Sequence, residues 1–191
     1  MSAVTFLKTF FSHPGQVGAI APSSSYLAAE MVRWIDWSTA RGVVEYGPGT
    51  GVFTTAIADA LHAEAKFFAI ERSSELACLV RQRCPSVSVH EDSVENVVDL
   101  CSREGVSSVD AIVCGLPWAA FPESLQDRCL DAMMEVLRPG GQFVSFAYWQ
   151  GLAMPAAWRF KSKLDHYFSA VERSPTVWRN LPPAFVYRCS R

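Results

Sequence analysis

Glu45-Tyr46-Gly47-Pro48-Gly49-Thr50-Gly51 follows the apolar run at 41–46 (RGVVEY) and precedes a helical pattern at 52–61. Three glycines within five residues, at a strand-to-helix junction, let the chain turn tightly and bring its backbone against a ligand. The same strand-then-helix order repeats outward from this point. Strands are expected at 66–71 (KFFAIE), 86–90, 109–114 (VDAIVC) and 142–149. Helices are expected at 74–83, ended by Pro85, at 93–103, at 122–137 with Pro122 in the first turn, and at 155–168. Arg138-Pro139-Gly140-Gly141 reads as a turn. Two late strands, 170–177 and 184–189, have no helix between them and predict an antiparallel edge. Five alternations imply a parallel sheet covered on both faces, and right-handed crossovers make it doubly wound. The fold class is therefore α/β, a Rossmann-like sheet of seven strands.

Upstream, Ala3, Val4, Phe6, Leu7, Phe10 and Phe11 recur at helical spacing, and His13-Pro14-Gly15 ends that pattern. Ser23 or Ser24 can cap a second helix running to about Trp37. With no repeat or linker, residues 1–191 form one domain. It comprises an N-terminal helical segment (1–37), a cofactor-binding core (41–149) and a C-terminal helix with edge strands (150–191).

Half of the 191 residues are apolar and 19% are charged, below the roughly 25% of an average globular chain, which excludes disorder as the main state. No apolar stretch approaches the ~18 residues of a membrane span. The first dozen residues lack the pattern of a secretory signal. The six Cys form no C-x-x-C pair and have no zinc spacing, so they read as free thiols of a cytoplasmic protein, with no metal. Net charge is −2, which argues against a nucleic-acid partner. The charge is uneven: residues 1–154 hold ten Lys and Arg against seventeen Asp and Glu, and residues 155–191 hold seven against two. The basic end, with Arg159, Lys161, Lys163 and Arg173, could add up to ~1 kcal/mol per charge beside an anionic leaflet.

The next strand ends in Glu71, with Arg72 after it, 20 residues beyond Gly51. A carboxylate there can accept from both hydroxyls of a ribose. Two cofactors compete for such a site. A dinucleotide calls for G-x-G-x-x-G with its pyrophosphate on the helix N-terminus. Here the third glycine comes one residue early and Pro48 separates the first two. S-adenosylmethionine has no phosphate, and Glu45 suits its positive charges. Asp92 and Ser93, after the third strand, can meet an adenine amino group or simply cap a helix. Gly115-Leu116-Pro117-Trp118 follows the fourth strand, at the carboxyl edge where ligands bind in such sheets.

Residues 45–141 resemble the class I S-adenosylmethionine-dependent methyltransferases in the glycine motif, the acidic end of the second strand and the Pro-Gly-Gly turn. A narrower match runs along nearly the whole chain. Gly18-Ala19-Ile20-Ala21-Pro22-Ser23-Ser24, Gly115-Leu116-Pro117-Trp118, Phe146-Ala147-Tyr148 and 177–184 (VWRNLPPA) are similar to the bacterial phospholipid N-methyltransferases. That resemblance implies methyl transfer to phosphatidylethanolamine or a related amino lipid, by a protein peripheral to the inner membrane face. It also implies substrate contacts from Ser23, Ser24, Pro117, Trp118, Arg179 and Asn180. The ribosomal RNA adenine dimethyltransferases are less similar: they carry Asn-Leu-Pro-Tyr or a relative where this chain has Gly115-Leu116-Pro117-Trp118. A small-molecule methyltransferase and a non-catalytic cofactor-binding module remain the other readings.

An alkylamine acceptor, with a pKa of about 10.4, is only ~10⁻³ neutral at pH 7, a cost of ~4 kcal/mol. A residue that takes the proton or orients the nitrogen is expected, and Tyr148, Tyr26 and His13 are the candidates. Arg179 can grip a phosphate through its planar fork. The Phe6, Leu7, Phe10, Phe11 stripe serves either as a packed lid or as an interfacial helix.

Overall fold

The computed structural model describes residues 23–191; the N-terminal stripe, His13 and the segment 18–22 lie outside the described residues. Seven strands form one sheet in the order β3-β2-β1-β4-β5-β7-β6. They are β1 (Gly42–Tyr46), β2 (Lys66–Ile70), β3 (Ser88–His90), β4 (Val109–Cys114), β5 (Leu137–Tyr148), β6 (Ala170–Arg173) and β7 (Ala184–Ser190). Strands β3 to β5 pair in parallel, whereas β7 runs antiparallel to both β5 and β6. β1 is buried along its whole length, as its unbroken GVVEY run requires of a central strand covered on both faces.

Six α-helices among the described residues cover the sheet. Helices α1 (Ser25–Val32), α2 (Val52–Ala60) and α3 (Ser74–Arg83) take one face, where Leu27, Met31, Phe53 and Ile57 pack on Val43, Val113 and Val144. Helices α4 (Val97–Glu104), α5 (Glu123–Val136) and α6 (Pro155–Tyr167) take the other, where Leu130, Met133 and Leu164 pack on Val44, Ile112 and Phe143. The strand order reverses between β1 and β4. The crevice at their carboxyl ends is therefore the place where such sheets bind ligands.

Three boundaries differ from expectation. Helix α1 stops at Val32 rather than Trp37, because the Trp37 indole N–H donates to the Val32 carbonyl at 2.8 Å and Asp36 folds a turn by accepting from Ser38. Strand β5 begins at Leu137, so the Pro-Gly-Gly turn lies within it as a bulge. Val109 pairs with Leu137 and Ala111 with Gln142, and Gly140 N–H is met by the Arg191 carbonyl at 2.9 Å. Strand β6 ends at Arg173, where the Ser174 hydroxyl takes over the Val186 N–H at 2.9 Å and leaves Val177 a single bridge to Ala184.

The basic C-terminal region is electrically quieter than its composition. Arg159 pairs with Glu123 at 2.9 Å, Lys161 with Asp165 at 2.5 Å, and Lys163 with Asp127. Arg173 lies over the Phe185 ring. The three Lys and Arg of α6 thus each face a carboxylate, two of them supplied by α5, which weakens the field that α6 presents to a surface.

Candidate active site

At the switch point the loops after β1 and β4 touch through their backbones. Gly115 N–H donates to the Tyr46 carbonyl at 2.7 Å, and Gly47 N–H donates to the Ile70 carbonyl at 2.9 Å. Gly47, Gly49 and Gly51 all have positive φ, a conformation that side chains with a Cβ rarely tolerate. A Cβ on Gly115 would lie 2.5 Å from the Gly47 carbonyl oxygen, and one on Gly47 would lie 2.4 Å from Leu116 Cδ2. Pro48 closes the turn by accepting from Gly51 N–H at 2.9 Å, and Thr50 is held by Arg83, whose guanidinium donates to its carbonyl at 3.0 Å.

Two carboxylates lie beside this loop. Glu71 is buried and accepts from Gly49 N–H at 3.2 Å and Ser73 N–H at 2.9 Å. Burial raises its pKa, and the N–H groups of Ser73, Gly49 and Arg72 pull against that rise. Arg72 itself is exposed. Glu45 is fully buried on the α2 face, and neither of its oxygens has a hydrogen-bond partner; the nearby Thr54 hydroxyl is also buried and unpaired. Desolvation pushes the Glu45 carboxyl up to about 8, with the Thr54 hydroxyl opposing and the Glu71 charge adding. An orphaned buried carboxylate under a glycine loop suits a cationic ligand, because a cation would compensate the buried charge. Thr54 escapes a motif reading, since a Thr in the first turn of a helix signals nothing by itself.

Asp92 accepts from Ser93 N–H and from the Asn96 amide, both at 2.7 Å and both on Oδ1; the Asn96 bond is foremost in keeping its pKa low. Ser93 caps the short 3₁₀ turn Val94–Asn96 that leads into α4. Leu116 packs against the α5-side core, and Pro117 opens the 3₁₀ turn Trp118–Ala120. Trp118 is a core residue, contrary to expectation: its ring stacks on Phe160 at 5.0 Å and its N–H reaches Cys114 Sγ at 3.2 Å. Its apolar area is consumed by the α6 interface, which local sequence does not show.

On the far half of the same edge, Tyr148 ends β5 with its ring against Phe146 at 5.4 Å. Burial pushes its phenol up to about 12, which favours the protonated form and the orienting role over that of a free base. Tyr26 is half-exposed and accepts from Arg179 at 2.8 Å, with the guanidinium 4.8 Å above its ring. Asn180 is buried instead of facing a substrate. Its Oδ1 accepts from Ser24 N–H at 2.9 Å and its amide donates to the Pro182 carbonyl at 2.7 Å. Ser24 caps α1 by accepting from Leu27 N–H at 3.2 Å, and Ser23 precedes it half-buried. The β6–β7 loop is thus clasped onto the start of α1 across 156 residues of chain.

Residues 43–141 match the family model described as a methyltransferase domain. The chain belongs to the class I S-adenosylmethionine-dependent methyltransferases. It is 34% identical over 187 residues to the ornithine lipid N-methyltransferase of Singulisphaera acidiphila, covering 96% of this chain and 93% of that one. Solved structures agree in fold. The O-methyltransferase TomG of Streptomyces achromogenes, in complex with S-adenosylmethionine, superposes with a TM-score of 0.68 at 17% identity, covering 100% and 90% of the two chains. An rRNA methylase from Streptococcus thermophilus gives 0.61 at 17% identity, covering 86% and 93%. The cofactor of this methyltransferase is S-adenosylmethionine, and the glycine loop, Glu71 and the unpartnered Glu45 fit it. Among the described residues no helix is long and apolar enough to cross a membrane.

Proposed function

We propose that this methyltransferase transfers methyl groups to the amine of an amino lipid, phosphatidylethanolamine or an ornithine-type lipid, while peripheral on the inner face of a membrane. The observation that carries this reading is the similarity to an ornithine lipid N-methyltransferase along nearly the whole of both chains, beyond the methyltransferase domain matched at 43–141. When bound, the cofactor supplies a methyl on a sulfonium sulfur, already activated for in-line displacement.

The chain's own residues then bind and align, which can be worth ~7–11 kcal/mol. Glu71 keeps acceptor capacity for the ribose hydroxyls, since a carboxylate has about four lone-pair sites and the Ser73, Gly49 and Arg72 N–H groups take no more than three. Asp92 keeps Oδ2 for the adenine amino group. Glu45 compensates the positive methionine end. Gly115 and Leu116 wall the loop crevice. On the acceptor half, the Tyr148 hydroxyl can accept an N–H of the neutral amine and so turn the lone pair towards the methyl. Arg179, planar and steadied by Tyr26, suits the anionic group beside the amine, a phosphate or a carboxylate. With Tyr148 held as a phenol, the amine loses its proton to solvent before it enters. Asn180 and Ser24, clasped to each other, position the neighbouring Arg179 and Tyr26.

The test offers labelled S-adenosylmethionine with purified phosphatidylethanolamine, ornithine lipid, RNA and protein fractions. Label is expected in an amino lipid. Label in RNA with none in lipid would reject the acceptor and leave the methyltransferase standing.

A further inference from the structure

Among the described residues, eight large apolar side chains are exposed, and six of them lie at one place: Tyr26, Trp149, Met154, Trp158, Trp178 and Leu181. Leu181, Trp178 and Trp158 are 72%, 69% and 64% exposed. Contacts among Trp149, Trp158, Trp178 and Tyr26 and their neighbours, with Met154 and Leu181 close by in the chain, join the group into one rim. Trp149 and Trp178 have ring centroids 6.4 Å apart, and Trp149 N–H donates to the Pro183 carbonyl at 2.8 Å. The Trp158 indole N–H donates to the Leu152 carbonyl at 2.8 Å, in the 3₁₀ turn Trp149–Ala153 that follows Tyr148; Arg179, beside Trp178, lies over Tyr26. The rim therefore borders the acceptor half of the candidate site, on the carboxyl edge of the sheet.

We infer that this rim, Trp149, Met154, Trp158, Trp178 and Leu181 with Tyr26 at its border, is the surface by which the protein sits in the headgroup layer of a bilayer, through apolar and indole contacts and not through net positive charge. The inference rests on the amino-lipid reading: an acceptor that is a bilayer component must reach the methyl from the membrane side, so the border of the acceptor mouth must meet that side. Indole rings join an apolar body to a polar N–H and favour this boundary. The neighbouring cations of α6 are paired with Glu123, Asp165 and Asp127, which weakens the field that would favour an anionic leaflet and leaves Arg179, on Tyr26, as the cation at the rim.

Flotation of the full chain with vesicles of phosphatidylcholine alone, and of phosphatidylcholine with phosphatidylglycerol, tests the inference. Binding to both is expected, and it should persist between about 0.1 M and 1 M salt, where the screening length falls from roughly 10 to 3 Å. Tryptophan emission should shift to the blue on vesicles. Trp158→Ser with Trp178→Ser and Leu181→Ser should lower vesicle partition by at least about tenfold and abolish the shift, with S-adenosylmethionine affinity unchanged as the sign of an intact fold. Should the triple variant lose the cofactor, Trp178→Ser alone is read the same way, with a fall of about threefold or more expected. Binding to anionic vesicles only, lost with salt, would overturn the inference, as would variants that float like the parent, since residues 1–22 or a protein partner would then cover this role. Vesicle binding without methylation of any amino lipid would remove the acceptor reading and keep the surface. Methylation of a dispersed short-chain amino lipid without vesicle binding would do the reverse.

Discussion

On the β1–β2 half of the carboxyl edge, the groups present are a turn of left-handed glycines, whose N–H groups are all taken up by protein acceptors, and two buried carboxylates. On the β5–β7 half they are rings, half-buried or exposed, and one guanidinium resting on a phenol. The first half is buried and held by short backbone bonds such as Gly115 N–H to the Tyr46 carbonyl and Gly47 N–H to the Ile70 carbonyl. The second is more exposed, and beyond the β5–β7 pairing it is held by side-chain contacts, Asn180 to Ser24 and Arg179 to Tyr26. Position in the first half is fixed by the main chain, so a single atom too many is ruinous. In the second, position depends on side chains that can shift, so losses are graded.

That contrast can be broken at its stiffest point. Gly115→Ala puts a methyl 2.5 Å from a carbonyl oxygen that no rotamer change can move aside. Cofactor binding should be lost altogether, as read by calorimetry on protein whose circular dichroism is unchanged. Binding within about tenfold of the parent would mean that the loop is not rigid.

Glu71→Ala comes next. Two ribose hydroxyls lose a charged acceptor worth about 1.5–3 kcal/mol, so affinity for S-adenosylmethionine should fall about 10- to 150-fold. Unchanged affinity would remove Glu71 from the site.

Glu45 sharpens the comparison through pH. Its carboxyl, pushed to about 8, is neutral at pH 7 in the free protein, and a bound cation favours its ionised form. Cofactor affinity should therefore rise with pH towards about 8, by up to about tenfold per unit, beyond the rise shown by Glu45→Gln. Stability has the opposite sign. The folded state holds this proton more tightly than the unfolded chain, whose value is near 4.5. The stability linked to it is full below about 4.5 and is lost as pH rises through about 8. The melting temperature of the free parent should accordingly fall relative to Glu45→Gln as pH rises from about 4.5 to about 8, and parallel melting curves across that range would refute the assignment.

The smallest effect is expected on the second half. Tyr148→Phe removes one hydroxyl bond to the acceptor nitrogen, so turnover on lipid should drop about two- to twelvefold with cofactor affinity unchanged. At saturating cofactor the rate should still climb about tenfold per pH unit between 6.5 and 9 in both proteins, because neutral amine limits it. A loss of ~10²–10⁴ with a flattened profile would restore Tyr148 as a proton carrier.

The halves also differ in legibility. Gly47 to Gly51, Glu71 and the Gly115 turn could be read directly, because a strand, a positive-φ turn and a helix N-terminus are local events written in adjacent residues. The burial of Trp118 and Asn180 could not be read there, because each is taken up by a distant element, α6 in one case and the start of α1 in the other. The basic end misled for the same reason: Glu123 and Asp127, which neutralise Arg159 and Lys163, lie more than thirty residues away on α5.

By itself, then, the sequence determined the α/β alternation, the parallel core, the antiparallel edge and the cofactor loop. All of these follow from hydrophobic period, glycine conformation and chain connectivity, which act over a few residues at a time. Only the tertiary structure decided which carboxylate would be left without a partner, which phenol would stay protonated, which cations would be cancelled and which tryptophans would face outward. Burial and charge pairing depend on what the rest of the chain brings alongside, and neighbours in space are not neighbours in sequence.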